Sequence, residues 1–223
     1  MDVKSYLKKE WLFFVVLLIP FVVYAIMWES IPEKLPSHWN YKGEIDGYTQ
    51  KGLRIFFLPF INVIVYVLVL FVPKIDPKKR IDIYVPGVRS LRFVLCTFLS
   101  ALSLLILATG LGYVSDSSKI INQLIILLLV FLGNYMGKIK PNYFIGVRTP
   151  WTLENKEVWK KTHRFTGLLW VLASVPMLFI SIFLSSVLMS KVFTAFVLTI
   201  ALIPVVYSYI LFKKLQHVEN TSH

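Results

Sequence analysis

Charge is what this 223-residue sequence has least of. Only 16% of its residues are Asp, Glu, Lys or Arg, and 57% are hydrophobic. A soluble domain carries about 25% charged and about 45–50% apolar residues. Six stretches contain no Asp, Glu, Lys, Arg or His at all: 11–28, 55–73, 93–115, 120–137, 165–190 and 192–212. The lack of ionisable groups inside them argues against a proton- or ion-coupled pump, whose pathway needs such groups at mid-membrane. The short alternating segments of a transmembrane β-barrel are missing too. There is one cysteine, Cys96, so no internal disulfide is possible. It reads as a small buried apolar residue. After Tyr24 the chain runs Ala-Ile-Met-Trp-Glu, with no small-x-small cleavage site. The first run is therefore expected as a retained anchor. Internal repeats, low-complexity tracts and any nucleophile constellation are also missing.

What is present are six runs of 18 to 26 residues. A helix needs roughly 17–25 mostly apolar residues to cross the hydrocarbon, and it satisfies its own backbone there. The expected fold is an all-α integral membrane protein with six transmembrane helices, one structured external loop and a cytoplasmic loop containing a short interfacial helix. The net charge is +12. With the N-terminus inside, 18 basic residues fall on the cytoplasmic side and 6 outside. The positive-inside rule then puts both termini in the cytoplasm. Topology accounts for the basic excess, so nucleic-acid binding is not expected, although Lys78-Lys79-Arg80 is suited to touching anionic lipid heads. Two regions are expected: 1–90, with two spans and the external loop, and 91–223, with four spans. Pro20, Pro59, Pro176 and Pro204 can each kink a helix. Asn62, Asn122, Gln123 and Asn134 read as helix–helix hydrogen-bonding or interfacial residues.

The external loop, about 29–54, holds Leu35-Pro-Ser-His-Trp-Asn-Tyr-Lys-Gly-Glu-Ile-Asp-Gly-Tyr48. Pro36 forces an extended approach. Asn40-Tyr41-Lys42-Gly43 reads as a hairpin turn with Gly43 at positive φ. Asp46-Gly47 reads as a second turn. His38, Asn40, Glu44 and Asp46 form its polar set. The spacing of His38 and Asp46 matches no metal motif, and a structural hydrogen bond is favoured over metal or acid–base roles.

The cytoplasmic loop, about 136–164, contains a helix start at Thr149-Pro150, with Thr as N-cap and Pro at the first position. One helix face from there carries Trp151, Asn155, Val158, Trp159 and Thr162. Another carries Lys156, Lys160, His163, Arg164 and Gly167. This weakly amphipathic helix is expected along the membrane surface, turning up into the fifth span, either as an anchor or as a ligand-reading surface. Arg148 suits a bidentate partner such as a carboxylate, and Glu154 and Glu157 are the nearest acids. Gly133 and Gly137 form a small-xxx-small pair for close packing.

Several of these segments together resemble one family. They are Gly133-Asn-Tyr-Met, Pro141-Asn-Tyr-Phe-Ile-Gly, Arg148-Thr-Pro-Trp-Thr-Leu, Val158-Trp and Thr162-His-Arg. They are similar to the signature of the SdpI family, and Leu35–Tyr48 resembles the Leu-Pro-x-His-x-Asn-x-x-Gly-x-x-Asp-x-Tyr loop that often precedes it. The resemblance implies a bacterial cytoplasmic-membrane immunity protein with no cofactor or metal. Its expected partners are the lipid bilayer, a secreted peptide toxin and a small cytoplasmic transcriptional repressor held at the membrane. The candidate binding residues are His38, Asn40, Gly43 and Asp46 outside. Inside they are Asn134, Asn142, Arg148, Thr149, Pro150, Trp151, Trp159, His163 and Arg164. The alternatives are a membrane enzyme acting on lipid or peptide, or a small transporter component.

Overall fold

The structure is a computed structural model that describes the backbone of residues 3–75 and 86–221, and the side chains of 10–71 and 88–217. The Lys78-Lys79-Arg80 run and most of its connector lie outside the described residues. The apolar runs form helices, as lipid requires of a backbone with no water to bond. In chain order these are α1 (Val3–Ile26), α2 (Phe57–Ile75), α3 (Pro86–Gly110), α4 (Ser117–Met136), α5 (Pro150–Glu154), α6 (Lys156–Phe183) and α7 (Ser186–Thr221). The chain is a mostly helical membrane protein. Among the described residues α2, α3, α4, α6 and α7 are long and apolar enough to cross a bilayer, while the apolar segment of α1, Glu10–Ile26, is shorter.

The helices alternate in direction. Glu10 near the start of α1 meets Arg92 near the start of α3, and Tyr24 near its end donates to the Ser103 carbonyl at 3.0 Å, so α1 and α3 run parallel. Phe56, just before α2, packs on Tyr24 near the end of α1, whereas Tyr66, midway along α2, reaches Glu10 near its start, so α2 runs against them. Gln123 early in α4 donates to Ser181 late in α6, which makes that pair antiparallel. Pro20, Pro176 and Pro204 lie inside α1, α6 and α7. Pro59 instead occupies the first turn of α2, where a missing N–H is an orphan anyway, so no kink is required there.

Two small-residue contacts set the helix spacing. A Cβ built on Gly167 of α6 would stand 2.6 Å from the Gly133 carbonyl of α4, and one on Gly133 would stand 3.0 Å from the Gly167 carbonyl. Backbone touches backbone here, so the close packing expected of the Gly133/Gly137 pair is found at Gly133, with Gly167 as the facing partner, and not at Gly137, where a Cβ would meet only ordinary contact at 3.7 Å. A Cβ on Gly110, at the end of α3, would lie 2.0 Å from Leu35 Cδ2. That space admits the loop between α1 and α2.

Polar groups also tie the first three helices. Asn62 of α2 donates to the Cys96 carbonyl at 3.0 Å and to Ser100 Oγ at 2.8 Å, and Ser100 donates to the Val16 carbonyl at 2.7 Å. Cys96 is fully buried, as expected. One turn or two nearer the other end, Arg92 Nη2 contacts both oxygens of Glu10, at 2.7 and 2.6 Å. Tyr66 donates to the same carboxylate at 3.0 Å, and Arg89 Nε lies 3.5 Å away. The Arg92 guanidinium also stacks over Phe13, 4.5 Å from the ring centre. Both Glu10 and Arg92 are 1% exposed. The positive-inside count treats Arg92 as a surface charge; the structure makes it half of a buried ion pair.

Candidate functional site

The loop between α1 and α2 folds as an antiparallel hairpin, β1 (Lys34–Trp39) and β2 (Ile45–Gln50). Asn40 builds its turn: Oδ1 accepts from the Lys42 and Glu44 N–H groups, and Nδ2 donates to Glu44 Oε2. Gly43 has φ +83°, as expected. Asp46-Gly47 is not a second turn but part of β2. The register shifts around His38 bring Gly47 opposite it. A Cβ on Gly47 would come 2.8 Å from His38 Cβ, so the glycine is needed for strand approach rather than for a bend. His38 Nδ1 then donates to Asp46 Oδ1 at 2.5 Å, the two side chains remaining 69% and 45% exposed. The expected structural hydrogen bond is the one found.

An isolated two-stranded hairpin is marginal in water. This one is held by burying Leu35 against α3 and by Trp39, whose indole donates to Ser117 Oγ at 3.0 Å. The turn sits on α4 and α7: a Cβ on Gly43 would stand 2.7 Å from Ser118 Oγ and 2.8 Å from Ser190 Oγ. Beside it opens a cleft of about 420 Å³ between hairpin and helix ends. His38, Asn40 and Tyr41 line one wall, and Asn122, Ser190 and Thr194 another. Seven hydroxyl or amide side chains and the His38 imidazole make it a hydrogen-bonding surface with aromatic edges, suited to a peptide backbone.

At the opposite end, the segment after α4 is knit to α6 almost entirely through its own polar groups. Asn142 is fully buried; its Oδ1 accepts from the Phe144 and Ile145 N–H groups, and its Nδ2 donates to the Lys140 and Ile145 carbonyls. Thr149 caps α5, with Pro150 as the first helical residue, and Thr152 returns the contact in a capping box. The Trp151 indole donates to Ser208 Oγ of α7 at 2.6 Å. The expected single amphipathic helix does not form. Asn155 ends α5 in extended conformation and its side chain caps α6 through the Glu157 and Val158 N–H groups. A residue that bonds two backbone donors at a helix start competes with continuing the preceding helix. The proposed faces are thus split, and α6 runs from Lys156 directly into the apolar span.

His163 is 1% exposed and stacks on Trp159 with ring centres 3.9 Å apart. Its Nε2 accepts from the Val147 N–H at 3.0 Å, and Nδ1 faces the Trp159 carbonyl at 2.8 Å. Nε2 is therefore unprotonated and Nδ1 carries the hydrogen. Gly146, at φ +116°, lets the loop pass over the ring: a Cβ there would lie 2.2 Å from Nε2. Trp159 donates to the Ile139 carbonyl at 2.8 Å. Asn142, Thr149, Trp159 and His163 are thus scaffold, whereas Asn134, Arg148, Pro150 and Arg164 are exposed.

Arg148 departs from expectation. It donates through Nη1 to one acceptor, the Tyr143 carbonyl at 2.8 Å, and Glu157 is instead paired with Lys161. A single carbonyl does not use the guanidinium fork. Arg148→Lys is expected to keep the loop's stability, and Arg148→Ala to lose only about 1 kcal/mol or less, read by thermal unfolding of the purified protein. A large loss in the Lys variant would show a second acceptor.

Comparison with known proteins now bears on both ends. Residues 138–208 match the SdpI/YfhL protein family. About a third of the chain is thus similar to that family. The matched residues include the buried Asn142, Thr149, Trp159 and His163 framework, and Ser190 and Thr194 of the cleft beside the hairpin. Residues 15–63, which include the hairpin, match a domain of unknown function. The immunity protein SdpI of Bacillus subtilis (strain 168) is 26% identical over 210 residues, covering 94% of this chain and 98% of that protein. No solved structure gives a significant match. Sequence reasoning had singled out most of the SdpI-region framework but missed Gly110, Ser117, Ser118 and Ser190. Their signal was faint: serines and a glycine at helix ends, with partners about 70 or more residues away.

Proposed function

We propose that this protein is an immunity protein of the bacterial cytoplasmic membrane, protecting its cell from a secreted antimicrobial peptide toxin. One observation carries the reading: the likeness to immunity protein SdpI runs along nearly the whole of both chains. The toxin docks at the external cleft, with His38, Asn40 and Asp46 contacting it and Gly43 holding the turn on α4 and α7. Protection here is binding, with no reaction assigned to the protein.

The reading includes six spans with both termini inside, α1 being the first, and two regions, 1–90 and 91–223. The 18-to-6 division of basic residues supports it, and so does α1 running parallel to α3 with α2 reversed between them. The hairpin, the start of α4 and the start of α7 then share the outer face. On the inner face the exposed Asn134, Arg148 and Arg164 offer a surface for a small transcriptional repressor. Expression of the full chain in a toxin-sensitive bacterium tests the proposal. Survival against a secreted peptide toxin should rise over an empty-vector strain. Unchanged killing by every toxin tried, with the chain present in the membrane, would refute it.

A further inference from the structure

Beyond the cleft and the exposed inner-face residues, a second concavity of about 540 Å³ lies at the other end of the molecule, between the segment leaving α4 and the first turns of α6. Lys138 and Lys140 stand on one wall and Lys156 and Lys160 on the other, with Pro141 and the buried Trp159 between them. No acid lines it. Among the described residues none of these four ammonium groups takes part in an ion pair or side-chain hydrogen bond, whereas the neighbouring Lys161 is paired with Glu157 at 2.7 Å. Lys156 and Lys160 are one turn apart on the same helix, a like-charge spacing that destabilises a helix unless an anion sits between.

The arrangement is built rather than incidental. The Trp159 indole donates to the Ile139 carbonyl and so pins the segment bearing Lys138 and Lys140 against α6. His163, stacked on Trp159, fixes that indole from behind. Four cations are thereby held around one concave space at the polar end of a helix whose uncharged run begins at Phe165. We propose that this groove binds the phosphate headgroup of an anionic phospholipid, with the lysines around the phosphate and Ile139 and Pro141 beside the glycerol and first methylenes. A lipid is favoured over an acidic protein segment because the lining joins cations to apolar groups and lies beside the start of a bilayer-spanning run. The inference does not depend on the immunity reading.

The test uses the purified full chain in detergent, with bound lipid counted by native mass spectrometry after titration with phosphatidylglycerol or phosphatidylcholine. The parent is expected to retain phosphatidylglycerol over phosphatidylcholine. The variant Lys140→Gln/Lys156→Gln/Lys160→Gln should lose that retention by about tenfold or more, since each lysine near a lipid surface contributes appreciably. The control Lys161→Gln/Lys213→Gln/Lys214→Gln removes the same charge elsewhere and should stay close to the parent. Inorganic phosphate, tested as the competitor, should displace the lipid only weakly. Equal loss in both triple variants would overturn the proposal, as would no preference in the parent. A free-phosphate site would show as full displacement by inorganic phosphate. An acidic-peptide site would show as polyglutamate binding that depends on the three lysines while lipid retention does not. Either result also overturns it.

Discussion

Arg92→Ala is expected to destabilise the protein by about 3–5 kcal/mol, because it strands the Glu10 carboxylate in a buried site. Arg92 Nη2 lies within 2.7 Å of both Glu10 oxygens, and the guanidinium also stacks on Phe13. Removing it leaves Tyr66 and the more distant Arg89 as the neighbours of that charge. Such a group either binds a proton or draws in water, and both loosen the contact of α1 with α3. Glu10→Gln/Arg92→Met, which removes both charges at similar volume, should recover a large part of the loss, since desolvation offsets much of a buried pair's attraction. Membrane abundance and thermal unfolding in detergent measure both effects. Equal stability of Arg92→Ala and the parent would mean that the pair is not closed off from water.

Gly133→Ala should also be damaging, though less so, and Gly137→Ala should not. A methyl on Gly133 meets the Trp170 Cβ at 2.9 Å, the Gly167 carbonyl at 3.0 Å and Val171 Cγ2 at 3.1 Å. A backbone carbonyl cannot move aside without moving its helix, so α4 and α6 must separate. Overpacking of this kind costs about 1–3 kcal/mol. On Gly137 the nearest atom is the Arg164 Cα at 3.7 Å, ordinary contact, and its φ of −66° suits any residue. The two variants add the same methyl one helical turn apart. Unfolding midpoints in detergent should therefore fall for the first and stay within error for the second. The reverse order would place the helix crossing elsewhere.

Much of the fold was legible because its information is local. Uninterrupted apolar length specifies the helices, Asn40 to Gly43 specifies a turn, and Thr149-Pro150 specifies a helix start. The Gly133 spacing announced a close approach without naming Gly167. What could not be read depends on partners distant in sequence. Glu10 and Arg92 are 82 residues apart, and each looks like an interfacial charge flanking its own run. Gly47 next to Asp46 carries a turn signature, yet its role follows from the His38 Cβ across the strand. Asn155 reads equally as an exposed helix residue or as a cap; its Oδ1 bonds to the Glu157 and Val158 N–H groups decide for the cap. The candidate site follows the same division. His38, Asn40, Gly43 and Asp46 share a short hairpin, and their association was visible. The serines of α4 and α7 that complete the cleft enter only through the tertiary fold.

The central claim is that the outer cleft gives protection. Its most direct measurement is survival of a toxin-sensitive strain carrying the parent, Gly43→Val or Asp46→Ala, with membrane abundance quantified in the same cultures. Valine at Gly43 meets a positive φ and the hydroxyls of Ser118 and Ser190, which should lift the turn off the helices. Asp46→Ala releases His38 while leaving the backbone free to keep its course. The account predicts that the parent protects and that both variants lose most of that protection at matched abundance. Full protection by both variants at the parent's abundance would contradict it.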